Sequence, residues 1–240
     1  MSLSRVDQIL STVMDGHRGG ATLPETLCEL CVQALTVSGV GLALITADGH
    51  QGVVTATDGA AQTMEDLQFT LGEGPCLDAS SDGSPVLQPD VARTAPSRWP
   101  GYGPAVLEAG IAAVFAFPLQ VGAIRLGVLD LYRDTPGNLD DRELSEALAF
   151  ADAATAILLH LQEQTDAGDD VHPQLADPLG THTEIHQATG IIAVQAAVGL
   201  AEALLLLRGH AYAAESTSLD IARDVVGRRL HFYPEDDHHE

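Results

Sequence analysis

Apolar positions along the chain recur with two different periods, and the changes between them mark out its elements. Leu23, Leu27, Leu30, Cys31, Ala34 and Leu35 fall three and four residues apart, which predicts a helix over 22–37, preceded by another over 3–14. The stretch "GVGLALITADGHQGVVTATDG" reads as two strands across "ADGH", because Asp48-Gly49 supplies the positive φ of a tight hairpin. A short helical piece over 62–67 leads into "LGEGPCLDA". A long turn-rich crossing region follows through Pro85, Pro89, Pro96 and Pro100, and it contains "SRWPGY". The aliphatic runs "AVFAFPLQV" (113–121) and "IRLGVLDLY" (124–132), separated by Gly122-Ala123, predict a second antiparallel hairpin. From 139 to 164 the period turns helical again. Leu144, Leu148, Ala151, Thr155 and Leu158 keep close to a seven-residue rhythm, suited to flanking a sheet or to pairing with a second copy.

Residues 166–181 combine Gly, Pro and four acids, so they read as a linker; a flexible coil of about 16 residues spans roughly 22 Å. Beyond it the period predicts three short helices, over 183–197, 200–214 and 218–230. The first opens with "IHQATGII", whose Ile185, Ala188 and Ile192 share one face. Gly199 stands where a helix end favours a left-handed residue, and Ser218 where the next helix needs a cap. The expected organisation is an α+β domain over 1–165, the linker, a three-helix domain over 182–232 and an acidic tail over 233–240.

Composition narrows the functional classes. Of 240 residues 45% are hydrophobic, enough to build cores, and there is no lysine. Eleven arginines against 34 acids give a formal net charge of −23, a field that repels polyanions, so any nucleic-acid contact must be local. The lysine-free, alanine-rich usage resembles that of GC-rich bacterial genomes. The start lacks a basic segment followed by an apolar run, and no uninterrupted apolar stretch reaches the roughly 18 residues of a membrane helix, which points to a cytoplasmic protein.

Three cysteines, an odd number, suit reduced thiols better than a disulfide framework. Cys28-x-x-Cys31 lacks the second ligand pair that structural zinc requires, so the expectation there is core thiols and no metal. Without a Ser-His-Asp order, a Walker loop or a zinc-protease helix, no enzyme and no cofactor are expected.

Residues 22–165, through "LGEGPCLDA", "RWPGY" and "EAGIAAVFAFPLQVGAIRLGVLDLYRD", resemble a GAF domain of the kind found in actinobacterial regulators. The C-terminal helices resemble an ANTAR domain, a three-helix module associated with RNA binding and transcription antitermination. Ile185, Gln187, Ala188, Gly190, Ile191 and Ile192 carry that resemblance in the first helix. Ala201, Glu202, Ala203, Leu206, Leu207, Arg208 and Ala211 carry it in the second, and Leu219, Ile221, Ala222, Val225 and Val226 in the third. Thr189 replaces a residue that is usually basic in that family.

The two resemblances imply a GAF-like antiparallel sheet flanked by helices, then a small three-helix ANTAR-like domain. They further imply a homodimeric sensor that recognises paired RNA hairpins in a messenger leader and prevents terminator formation. On this reading Arg208, Arg223, Arg228 and Arg229 hold phosphates, while Gln187 and Tyr212 approach loop bases. Asp224 and Asp220 are positioned to pair with Arg228 and Arg223, at about 0.2–0.5 kcal/mol each, too little to withhold them from phosphate. In the sensor half, Glu73, Cys76, Asp78 and Trp99 border the cavity of an unknown small-molecule ligand. The alternative is a ligand-binding dimer whose C-terminal helices serve assembly or protein contact.

Overall fold

The computed structural model describes residues 4–16, 21–46, 49–164, 172–175, 183–214 and 216–232. The chain divides into two compact units, Met1–Pro178 and Leu179–Glu240. The first builds helices α1 (Arg5–Gly16) and α2 (Leu23–Ala34), strands β1 (Gly39–Thr46) and β2 (Gly49–Ala56), and helices α3 (Gly59–Leu71) and α4 (Pro75–Asp82). There follow β3 (Val86–Gln88), α5 (Val91–Arg98), α6 (Tyr102–Glu108), β4 (Ala113–Val121), β5 (Ile124–Arg133) and α7 (Asp141–Glu163). The five strands form one antiparallel sheet in the order β2-β1-β5-β4-β3.

The sheet is buried on both faces, and the period of two along its central strands sorts their side chains between two cores. Phe115, Phe117, Leu119, Leu129 and Leu131 point to the face covered by α1, α2 and α7, where Leu27, Cys28, Cys31, Phe150, Ala154 and Leu158 pack against them. Val114, Ala116, Val128 and Tyr132 point to the opposite face, covered by α3 to α6 with Met64, Cys76, Trp99, Tyr102 and Val106. Pro118 of β4 pairs with Val128 of β5 and lies beyond residues 114–116, the ones β3 covers, so it stands where β4 is an edge strand, the place in a sheet where proline is found.

Both hairpins and the helix over 139–164 lie where the pattern predicts them; the tip of the first, at 47 and 48, is outside the described residues. The crossing region differs from expectation. It holds α4, α5, α6 and the edge strand β3. Its prolines suggest turns, yet Pro75 opens α4, a position that has no helical N–H to lose. α3 is also longer than its six-residue signal, running from the Asp58 cap to Gly72, whose φ of 67° ends it in the left-handed conformation.

α7 starts with a capping box formed by Asp140 and Glu143. Among the described residues it alone has the length and apolar character of a membrane span, and its Ala147, Phe150, Ala151, Ala154, Ile157, Leu158 and Leu161 are buried against the sheet core. Part of the expected linker also belongs to this unit. Pro173–Leu175 form a 3-10 turn, Leu175 is buried in the α1/α2/α7 core, and the Leu23 N–H donates to Gln174 Oε1 at 3.0 Å. The remaining linker residues, 166–171 and 176–181, and the acidic tail from 233 lie outside the described residues.

In the second unit α8 (Thr183–Ala196), α9 (Leu200–Ala213) and α10 (Ser218–Val226) all pack on one another. Ile185, Ala188, Ile192, Ala203, Leu207, Ala211, Ile221, Ala222 and Val225 are its buried apolar side chains. Two end signals are displaced from expectation. Ala197, with φ 56°, takes the left-handed position, while Gly199 is the extended N-cap of α9. Thr217 rather than Ser218 caps α10, accepting from the Asp220 N–H.

Candidate functional site

Inside the layer between the sheet and α3–α6, the apolar packing is interrupted by a cluster of polar side chains. Asp130 stands in β5 among Val128, Leu129 and Leu131, fully buried. Its neighbours across the ladders are Gly41 of β1 and Ala116 of β4, the smallest residues available, and they leave room above it. Glu65 of α3 enters that room from above. A Cβ on Gly41 would lie 2.2 Å from Glu65 Oε1, so only glycine at 41 admits this carboxyl.

Asp58 sets α3 over the sheet by capping it through the Ala61 N–H while accepting from the Tyr132 hydroxyl of β5 at 3.0 Å. The helical period then turns Ala61, Met64, Glu65, Gln68 and Phe69 inward.

Gln68 bridges the cluster. Its Nε2 donates to Asp130 Oδ2 at 3.1 Å and its Oε1 accepts from the Cys76 N–H at 2.7 Å. The second contact does the work of a cap for α4, because Gly74 at the N-cap has no side chain. Gly74 is also required there: its φ is 134°, and a Cβ would stand 2.7 Å from Gln68 Oε1. Cys76 is thereby drawn into the interior beside Glu65 and Asp130, with the ligating atoms of all three residues within 4.8 Å of one another. The Tyr102 hydroxyl is buried in the same layer.

Burial, with each acid beside the other, raises the Glu65 carboxyl well above its ordinary range; burial raises Asp130 too, against the opposing Gln68 hydrogen bond. Burial likewise pushes up the Cys76 thiol and the Tyr102 phenol. A protonated thiol is a poor nucleophile, so Cys76 as it stands is not set up for thiol attack.

The other residues expected to line a ligand cavity are used differently. Glu73 Oε2 accepts from the Gly101 and Tyr102 N–H groups at 3.0 and 3.3 Å, which fixes the start of α6 and so the placement of Tyr102. Asp78 accepts from Arg98 Nε at 2.9 Å and from Trp99 Nε1 at 3.1 Å. Trp99 is buried, with the Arg98 guanidinium 4.7 Å from its ring centroid and Tyr102 edge-on at 6.0 Å. These three side chains frame the interior cluster without lining it. Of the four expected residues only Cys76 belongs to it, and Glu65, Gln68, Tyr102 and Asp130 join it.

A family model for the GAF domain matches residues 21–158, more than half of the chain. The chain belongs to the GAF domain family. Its GAF unit is similar in structure to the GAF domain of a phosphoenolpyruvate-protein phosphotransferase from Acinetobacter, at 9% identity and a TM-score of 0.49 over 68% of this chain and 98% of that one. It is also similar to the corresponding domain from Coxiella burnetii, at 16% identity and 0.49 over 66% and 95%. A further similar structure is free methionine-R-sulfoxide reductase from Neisseria meningitidis, at 17% and 0.46 over 69% and 97%. No curated protein matches the chain.

The C-terminal unit, beyond the GAF match, carries the residues singled out for RNA. Gln187 and Arg228 lie on one groove of about 720 Å³, with Gly190, Ile191, Val194 and Val225 as apolar lining and Gln195 and His231 as further polar groups. Gln195 Oε1 accepts from the Phe232 N–H at 2.8 Å, and the Phe232 ring meets His210 edge-on at 5.3 Å, holding the chain after α10 in place. Arg228 has φ 58°, an unusual left-handed conformation for arginine, immediately beyond α10.

Arg223 and Arg229 are exposed, and of the two expected pairs Asp220–Arg223 forms while Asp224–Arg228 does not. Asp224 binds Arg229 at 2.7 Å instead of Arg228, and Arg223 approaches Glu184 at 3.5 Å and Asp220 at 3.8 Å. Arg208 is half-buried, and desolvation lowers its guanidinium to about 10, so it is not a surface cation like the others. Tyr212 is 87% exposed on α9 and is not among the groove residues. Thr189 is buried and donates to the Ile185 carbonyl at 2.7 Å.

Proposed function

We propose that the chain is a cytoplasmic, homodimeric, signal-responsive regulator with no catalytic activity of its own. Its GAF unit senses a small ligand or redox change, and its C-terminal unit binds RNA hairpins and controls transcription antitermination. The observation that carries the output half is the groove bearing Gln187 and Arg228. Its apolar lining suits the face of an unpaired base, glutamine amides suit a base edge, and Arg228 at the same groove suits phosphate. Single-stranded loops offer such splayed bases, whereas a duplex does not. The polar interior cluster of the GAF unit supports the sensing half.

A filter-binding assay of the full chain against tandem leader hairpins tests this reading, with Arg228 and Arg229 both changed to Ala. Retention of RNA by the parent and its loss in the double variant is the expected result. Equal retention by both, or none by either, overturns it.

One observation favours the assembly alternative for the same unit: Val194, Leu200, Leu205, Leu206 and Tyr212 are exposed apolar or aromatic side chains. Under that reading Leu205→Ser changes the oligomeric state in sedimentation and leaves hairpin binding absent throughout.

A further inference from the structure

Buried carboxyls in a folded protein normally have hydrogen-bond partners or counter-charges. Glu65 has neither. Both of its oxygens, Asp130 Oδ1 and the Tyr102 hydroxyl are buried without a hydrogen bond of ordinary geometry among the described residues. Two acids and a thiol have been brought together in an apolar layer, at the cost of a glycine in a central strand, with no cation of the protein among them. Packing alone does not account for this, since an apolar residue at each position fills the same space without the desolvation penalty.

We infer that Glu65, Cys76 and Asp130 form a binding site for one divalent transition-metal ion of borderline softness, zinc or ferrous iron. One thiolate with two carboxylates discriminates against magnesium and calcium, which take oxygen ligands, while the carboxylates disfavour cuprous ion. The three ligating atoms lie within 4.8 Å of one another, close enough to converge on one ion by small side-chain adjustments. Gln68 orients two of the three, through Asp130 Oδ2 and the Cys76 backbone, as an outer-shell residue of a metal site does. Three protein ligands leave a fourth position for a further molecule, and the Tyr102 hydroxyl, buried in the same layer without a hydrogen bond of ordinary geometry, is a polar group available to such a molecule. The ion binds the thiolate and carboxylate forms of the three ligands, so its binding releases whatever protons they carry.

The inference names the class of signal or resident ion for the GAF unit. It rests on the reading of that unit as the sensing part only for this consequence, and it does not depend on RNA binding. The test is a titration of the intact, chelator-treated chain with cobalt(II), followed by absorption. One equivalent per chain is expected, with a thiolate-to-cobalt charge-transfer band and visible ligand-field bands of a low-coordinate ion. Cys76→Ser removes the charge-transfer band, while Cys28→Ser with Cys31→Ser keeps it. Gln68→Ala weakens binding by roughly 10- to 100-fold, as expected of an outer-shell residue. Absence of the band from a parent chain that circular dichroism shows to be folded overturns the inference, as does a band lost with Cys28 and Cys31. Cobalt binding without RNA retention leaves the metal site standing and removes the RNA reading; the reverse outcome does the opposite.

Discussion

Gly41→Ala tests most sharply whether the Glu65 carboxyl occupies the space above Asp130. The added Cβ would stand 2.2 Å from Glu65 Oε1 and 2.9 Å from both Cδ and Cγ. Two effects oppose each other. Replacing a strand glycine by alanine restrains the unfolded chain and stabilises by about 0.5–1 kcal/mol where the native backbone accepts it. Forcing a methyl into a filled interior costs about 1–3 kcal/mol. Because the contacts reach the Cγ and Cδ atoms, rotating the terminal carboxyl does not relieve them, and the second effect wins. The net loss is about 1–2 kcal/mol, a fall in Tm of roughly 2–8 °C for a unit of this size.

Thermal unfolding followed by the fluorescence of Trp99, the single tryptophan of the chain, reports on this unit. Gly59→Ala is the internal control: its Cβ meets nothing within 4 Å, so no loss is expected. In a Glu65→Ala background the cost of Gly41→Ala disappears, giving a coupling of about 1–2 kcal/mol. An unchanged Tm for Gly41→Ala, or the same loss with and without Glu65, refutes the placement of that carboxyl and the metal ligation argued from it.

Other expectations concern the frame around the cluster. Hydrogen bonds from the Asp140 N–H and Arg133 hold the Glu143 carboxyl below its ordinary value of 4.5, so the stability it adds is present above that pH and lost as pH falls through its folded value. Glu143→Gln therefore lowers urea-unfolding stability at pH 7, and the difference from the parent shrinks as pH is taken down from 4.5 through the lowered folded value; a difference that does not shrink on acidification contradicts this. Asp78→Asn weakens the anchors to Arg98 and Trp99 and costs about 1 kcal/mol in the same assay, with a change in Trp99 emission. Leu175→Ala costs about 2–3 kcal/mol if the 3-10 turn is seated in the core, and nothing if it is not.

Where the hydrophobic period was strong, the sequence was a good guide. Both hairpins, α2, α7 and the C-terminal helices follow from it, because their buried faces repeat every two or every 3.6 residues. The crossing region was not legible in the same way. α4, α5 and α6 are short and contain proline, and a proline in the first turn of a helix looks like a turn in sequence although it breaks no hydrogen bond there.

The buried polar cluster was hard to read from the sequence for a related reason. Glu73 and Asp78 are conspicuous beside Cys76, but their carboxylates serve backbone and indole donors. The informative signals were an aspartate within the aliphatic "LGVLDLY" and a glutamate on the same helical face as Met64 and Gln68. A charge at a core period is costly unless something binds it. The Cys28-x-x-Cys31 spacing drew attention to thiols that pack in the core on the opposite face of the sheet. Charge pairing in the C-terminal unit failed at one step: Arg228 lies beyond the end of α10, where a four-residue helical interval no longer applies.

The proposed RNA binding requires a strongly acidic chain to engage phosphate through a few local arginines, and the salt dependence of hairpin affinity measures that engagement. Arg223, Arg228 and Arg229 are the exposed arginines among the described residues of the C-terminal unit. If each neutralises one phosphate, the slope of log affinity against log salt is about −2 to −3 per chain, and Arg228→Ala reduces it by close to one. A slope near zero, or no retention of hairpin RNA at low salt, contradicts the claim.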